Sequence, residues 1–510
     1  MITSKTERHL YLFLFALACL LSLILSTFWY VRKDITQEKL YTLSPYTLKV
    51  LENLESNVEI SWFRSSSLSL YVSESQYIFH FLNEAELLCG GKIILKIYNA
   101  DDVEEKKLST LGFATHTIEK KGVHNISKTS IYSGLILQLK GASRVIPFLS
   151  SISNLEYMLV NFILQINAEK RGSEMRISFI NATVGTKDET SDGKRKVEQK
   201  NEVQKDFSYL KQWLEYSGFK VDELSLPIKA ELEITQPLIV VGSCAFDADS
   251  ALYIDIFLKK KGRAVFFVSA NKVDVAGQWI AKKKAIDPLM EILLERGVEI
   301  ESNIVLDIPN FPIKMLRRDG EGSETVNYPC WPIILRENIQ YEHPIFAGIH
   351  SLQTFWPSSI KVNLKAGKHL KSLAKTTKES ISMEEAYQTD PFSPLFALFA
   401  DGKHAKTSHS IVVLSEKLGR LLVISDELML SRTVEYTDSS INFDFAVNIA
   451  LWLDGKDSLL QLKRKQHTLL PFRFYEENVF ALLIGKARVI CFLVVPTAII
   501  LVYILMRRRA

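Results

Sequence analysis

Two uncharged apolar runs bracket the chain, and they constrain its fold more than any other feature. Residues 10–31 are 22 positions without a charge, enough at about 1.5 Å per residue to cross a hydrocarbon core of roughly 30 Å. Residues 489–506 are 18 more, with Pro496 inside the run and Arg507, Arg508 and Arg509 directly after it. The expectation is one transmembrane helix at each end, flanking everything else. The tri-arginine outweighs Lys486 and Arg488, so both termini are expected on the cytoplasmic side of a bacterial inner membrane. Residues 34–488 then lie on the periplasmic, extracytoplasmic side, with the lipid bilayer as a partner. Cys19 in "ALAC" is not read as a lipoprotein cleavage point, because twelve more uncharged residues follow it.

Folded structure starts close behind the first run. Ser44 before Pro45 is a helix start: the serine oxygen can accept an orphan backbone N–H, and proline at the first helical position has none to leave unpaired. Val58, Ile60 and Trp62 then alternate with Glu59, Ser61 and Phe63, as in a half-buried strand. "KIILKIYNA" and "GLILQLKGASRVIPFL" (134–149) read as further strands, and "ISNLEYMLVNFILQI" (152–166) as a helix buried on almost every face. The expected fold is α/β. Residues 1–33 form an N-terminal anchor, and 34–170 a first unit with thioredoxin-like element order but without the reactive cysteine pair of a redox enzyme.

A second unit is expected over 171–470. It opens with the strand "RISFI", followed by 25 residues (181–205) with hardly an apolar side chain, which read as an exposed loop. The short apolar runs "LIVVG" (238–242), "RAVFFVS" (263–269), "IVVLSE" (411–416) and "RLLVISD" (420–426), separated by helical stretches, predict a mainly parallel, doubly wound sheet. Residues 308–410 read as an inserted subdomain of irregular periodicity, and 471–510 as a C-terminal helix with a basic tail.

Several function classes are excluded by what the chain lacks. A formal charge of +4 on 510 residues, with no basic stripe interleaved with aromatics, is not the footprint of a nucleic-acid binder. The five cysteines are odd in number and scattered, with no C-x-x-C pair, so neither a zinc site nor a disulfide framework is indicated. No G-x-x-x-x-G-K-[ST] loop is present to cradle nucleotide phosphates. No cofactor is expected.

Pieces along nearly the whole chain carry a family resemblance. "DITQEKLYTLSPYTLKVL", "YSGLILQLKGASRVIPFL" with "NLEYMLVNFI", "LLERGVEIESNIVLD", "HPIFAGI" before "FWPSSI", "ISDELML" and "NFDFAVNIALWLDGKDSLLQLKRK" resemble, in order, gliding-motility-type auxiliary components of ABC transport systems. The resemblance implies a large extracytoplasmic region between membrane anchors that works beside a separate permease and ATPase, with ATP bound by the partner. It also implies a second unit similar to flavodoxin-type and glutamine-amidotransferase-like sheets without their catalytic residues. Where such proteins carry a "GHGE"-like loop after the first strand of that unit, this chain has "NATVG" and its polar insertion, so a ligand role for that loop does not carry over.

The candidate functional residues stand at strand ends. Asn181, Gly242, Ser243, Ser269, Ser425 and Asp426 each lie at or just past the end of an expected parallel strand, the side on which open α/β sheets bind ligands. The competing reading is that such residues cap the following helices. Cys244 follows "LIVVG" near a turn and His343 precedes Pro344; both read as structural. The functional expectation is a non-enzymatic, membrane-anchored auxiliary subunit of an ABC transport system that handles substrate or partner proteins. Two alternatives stay open: a membrane-anchored hydrolase on an amidotransferase-like sheet, and a structural envelope or motility protein without a transport partner.

Overall fold

The Ser44–Pro45 pair does start a helix, α1 (Pro45–Glu52), and the Ser44 hydroxyl accepts the Thr47 N–H at 3.1 Å. The computed structural model describes residues 42–464, apart from 122–125, 153, 172–173, 184–205, 274–278, 286, 317–321, 364–368, 385–387, 416–418 and 438–439. Met1–Gln466 forms one unit and His467–Ala510 another. Every described residue belongs to the first.

Strand β1 (Val58–Arg64) pairs parallel with β2 (Ile93–Asn99), across the helix α2 (Ser75–Leu88), and antiparallel with β3 (Ser133–Leu139). β3 turns into β4 (Ala142–Ile146), giving the sheet order β2-β1-β3-β4. The alternation in the sequence has its cause in one face of this sheet: Val58, Ile60 and Trp62 are buried against Ile78, Phe81, Leu82 and Ala85 of α2. Each such side chain contributes about 1.5–3 kcal/mol when fully buried. Helix α4 (Leu155–Arg171) closes the same core with Leu155, Leu159, Phe162, Ile163 and Ile166. Helix α3 (Glu105–Thr110) covers part of the other face with Leu108.

The second sheet explains why its central strands are so apolar. In β5 (Met175–Asn181), β7 (Leu238–Val241), β8 (Ala264–Phe267) and β12 (Leu421–Ile424), successive side chains enter two different cores. Ile177, Ile239, Val265 and Leu422 face one; Ile180, Val240, Phe266 and Val423 face the other. Helices α5 (Ser208–Tyr216) and α8 (Ile441–Leu453) cover the first face, while α6 (Ala248–Lys259) and α7 (Pro288–Glu295) cover the second. With β6 (Phe219–Glu223) at the edge, the parallel strands run β6-β5-β7-β8-β12. In chain order this is 2-1-3-4-5, the doubly wound order of flavodoxin, whose switch point lies between the first and third strands.

Beyond β12 the sheet continues with β11 (Ser410–Ser415), β10 (Ile360–Val362) and β9 (Val298–Ile300). β11 runs antiparallel to β12, with Ser415 opposite Leu421, because so short a connection can only reverse the chain. The inserted region is mostly β: Asn310–Leu316 pairs with Ser323–Leu335, which pairs in turn with Ser351–Gln353.

The expected fold class needs correction. Among the described residues no helix is long and apolar enough to cross a membrane. The longest described helix, α4, has 17 residues and divides its apolar side chains between two protein cores, and α8 is buried along nearly its whole length by its own sheet. The two transmembrane helices, the inner-membrane localisation and the bilayer as a partner are therefore not supported. The runs 10–31 and 489–506 that prompted them lie outside the described residues, as does most of the polar stretch 181–205. What stands is mixed α/β content.

Candidate functional site

The parallel order brings all six strand-end residues to one carboxyl edge. Asn181 ends β5, Gly242 and Ser243 follow β7, Ser269 lies two residues past β8, and Ser425 and Asp426 follow β12. Their roles there differ.

At the switch point, Gly242 has φ +79°, and a Cβ on it would stand 2.7 Å from the Ala182 carbonyl carbon and the Thr183 nitrogen. The main chains leaving β5 and β7 touch there, which leaves no room for a side chain. Ser243 is fully buried next to it.

At the β12 end, the edge is occupied by the chain itself. Asp426 accepts the Phe355 N–H at 2.6 Å and the Leu428 N–H at 2.9 Å. Ser425 is joined to Ser358 in both directions, its carbonyl accepting the Ser358 N–H at 3.0 Å and its hydroxyl donating to the Ser358 carbonyl at 2.5 Å. Ser269 donates to the Asn271 carbonyl at 3.1 Å, and the Asn271 amide reaches the Asn303 carbonyl and the Ser358 hydroxyl. Residues 354–359 thus form a strap across the sheet edge. Burial pushes the Asp426 carboxyl up to about 7, against the backbone N–H groups that favour its charge.

The strap carries Trp356, whose φ of +51° is rare for a bulky residue. It is held in a nest of rings: its indole N–H donates to the Tyr328 hydroxyl at 2.7 Å, and Trp331 stacks edge-on at 5.2 Å. Trp279, with φ +55°, joins the same nest at 6.2 Å from Trp356.

Of the six, Asn181 is exposed and the other five are buried among the described residues. Asn181 lines a cavity of about 270 Å³ with Phe179, Glu223, Leu224, Ser225, Leu226 and Ala245, and its Oδ1 accepts from the Thr183 N–H and hydroxyl. Glu223 in the lining is ion-paired with Lys211 at 2.7 Å.

Sequence reading missed a buried ion pair between Lys284 and Glu427 at this edge, both about nine-tenths buried. Burial alone would depress the Lys284 ammonium, but the facing Glu427 carboxylate outweighs it and holds the lysine raised. Lys284 lies in "KKKAI", which reads as a solvated charge run, so no local signal marks it. Cys244 stands nearby and is exposed; partial loss of hydration around its sulfur raises the thiol pKa, with Lys284 opposing. That is the reverse of the shift a nucleophilic thiol needs. Asp287 caps α7 through the Met290 N–H at 3.0 Å and is raised by burial. His343 accepts from the Ile345 N–H and packs edge-on against Trp452, so it serves the turn before Pro344. Among the described residues no group of His, Cys, Asp and Glu is arranged to hold a metal.

A family model described as an ABC-type uncharacterized transport system matches residues 183–449, more than half of the chain. The chain belongs to that family. Membership of this ABC transport auxiliary family places the protein in a transport-associated, auxiliary role. The matched region takes in the doubly wound sheet, from just past β5 through most of α8, with the inserted strands and the strap. A second model, a domain of unknown function, matches 37–138 and so covers most of the first sheet.

Along most of its length the auxiliary protein is similar to a protein of Borreliella burgdorferi, described as uncharacterized, at 23% identity over 85% of this chain and 84% of the relative. Among solved structures, it is similar to a putative thua-like protein from Bacteroides uniformis (12% identity, 55% of this chain, 90% of that one, TM-score 0.29). It is also similar to an exo-beta-1,4-mannosidase from an Opitutaceae bacterium (9% identity, 58% and 38% covered, TM-score 0.25). Neither likeness is close enough to bear on fold or activity.

Proposed function

We propose that this chain is a non-enzymatic subunit of its ABC transport system, acting by binding partners or substrate while a separate permease and ATPase supply channel and energy. The observation that carries this reading is the state of the carboxyl edge. There the exit of β12 is covered by the strap 354–359, where Ser425 and Asp426 serve the backbone, and at the switch point the main chains leaving β5 and β7 meet at Gly242 with Ser243 buried beside it. The raised thiol of Cys244 supports the same reading, since a hydrolase built on this turn would need it lowered. Membership of the family supports the pairing with transporter components.

The test is kinetic. The purified chain alone should hydrolyse no ATP, and adding it to the reconstituted ATPase and permease should change their ATP turnover. Turnover that is indifferent to the chain at saturating concentration would refute the pairing.

A further inference from the structure

The two main sheets have four outer strands, and three of them are guarded as sheet edges usually are, by charge or by shortness. β4 (Ala142–Ile146) carries Arg144, β6 carries Lys220, Asp222 and Glu223, and β9 is three residues long with Glu299 at its centre. β2 is the exception. It has seven residues, its single charge is Lys96, and that ammonium is already paired with Glu59 at 2.7 Å.

The same strand gathers exposed apolar surface. Five of the fourteen exposed large apolar side chains among the described residues fall between 87 and 98: Leu87 and Leu88 at the end of α2, and Ile94, Ile97 and Tyr98 on β2 itself. Ile97 is 41% exposed although Trp62, its partner on β1, is fully buried, so cover ends at the edge. The outward backbone groups can be placed as well. Leu95 turns its N–H away from β1, where Glu86 Oε1 accepts it at 2.9 Å, and by the alternation of a strand Ile97 turns its own N–H and carbonyl the same way.

We propose that β2 is a self-association edge, pairing antiparallel with β2 of a second copy of this chain about a two-fold axis at Ile97. An apolar edge with no unpaired charge is matched by a strand of the same character, and β2 itself is the one such outer strand in the main sheets. Its charges also select the register. With Ile97 opposite the second copy's Ile97, residues 95–99 overlap, and each Lys96 stands across from the second copy's Tyr98. A slip of two residues one way sets Lys96 against Lys96, which like charge disfavours, and the other way shortens the overlap to 97–99. In this pairing Leu95 exchanges its Glu86 cap for a backbone carbonyl of the second copy, so its donor is satisfied in both states. The sheet then runs continuously through both copies, and the exposed Leu87 and Leu88 flank the junction. The pairing does not depend on the transport reading.

Sedimentation equilibrium of the purified full-length chain tests this. The expected result is a dimer at micromolar concentration. Ile97→Lys and Ile97→Glu, both at an exposed position and checked for folding by circular dichroism, should each weaken self-association by roughly tenfold or more. Mixed together, the two variants should form a heterodimer, because position 97 faces itself across the axis. An unmodified chain that stays monomeric, a dimer that persists in both single variants, or a mixture that remains monomeric overturns the proposal. The first of these outcomes needs no variant at all.

Discussion

The Asp426 carboxyl accepts the backbone N–H of Phe355 at 2.6 Å, and this contact ties the inserted subdomain to the carboxyl edge of the parallel sheet. It also sets a pH dependence. Burial raises the Asp426 pKa from 3.8 to about 7, so between those values the folded chain holds a proton that the unfolded chain has released. Its contribution to stability is full below about 4 and is lost as pH rises through about 7. Denaturant melts across this window should show stability falling with pH, and Asp426→Asn should flatten that slope. A slope unchanged in the variant would show that other groups set it.

Gly242→Ala should cost roughly 2–4 kcal/mol. The left-handed backbone penalises any Cβ by about 1–2 kcal/mol, and the contact at 2.7 Å is with main chain that cannot rotate away. Chemical denaturation reads the loss directly. A loss under about 1 kcal/mol, within the range of a surface substitution, would mean that the exits of β5 and β7 are not in contact.

Lys284→Met and Glu427→Gln should each destabilise by about 3–5 kcal/mol, because each leaves a buried charge without its partner. Lys284→Met combined with Glu427→Leu should recover most of that loss. Additive losses in the double variant would show that the two side chains do not face one another.

Much of this architecture was legible in the residues. The Ser44–Pro45 cap is local chemistry, and the fully apolar runs of β7, β8 and β12 announce strands buried on both faces. The order of those strands then places Asn181, Gly242, Ser243, Ser269, Ser425 and Asp426 on one edge. What they touch there was not legible. Phe355 lies 71 positions from Asp426, and nothing in "FWPSSI" signals that its backbone will lie across β12. The antiparallel course of β11 was hidden for a related reason, since "IVVLSE" reads the same in either direction and only the short return to β12 decides it. The apolar runs that suggested membrane spans fall outside the described residues, and α4 and α8 show how apolar helices also arise from burial between protein layers.

Cys244→Ala should leave stability and partner capture as in the unmodified chain, because the thiol is raised and the residue is exposed. Loss of capture by a folded, normally accumulated variant would revive a catalytic or covalent role for the sulfur.

The central claim, that this chain is a working subunit of an ABC transport system, is tested most directly by affinity purification of the tagged, full-length chain from its native host in mild detergent, followed by quantitative mass spectrometry. The account predicts co-purification of one ABC ATPase and one permease in amounts comparable to the chain. Recovery of the chain without either, under conditions in which the ATPase and permease still hold together, would contradict it.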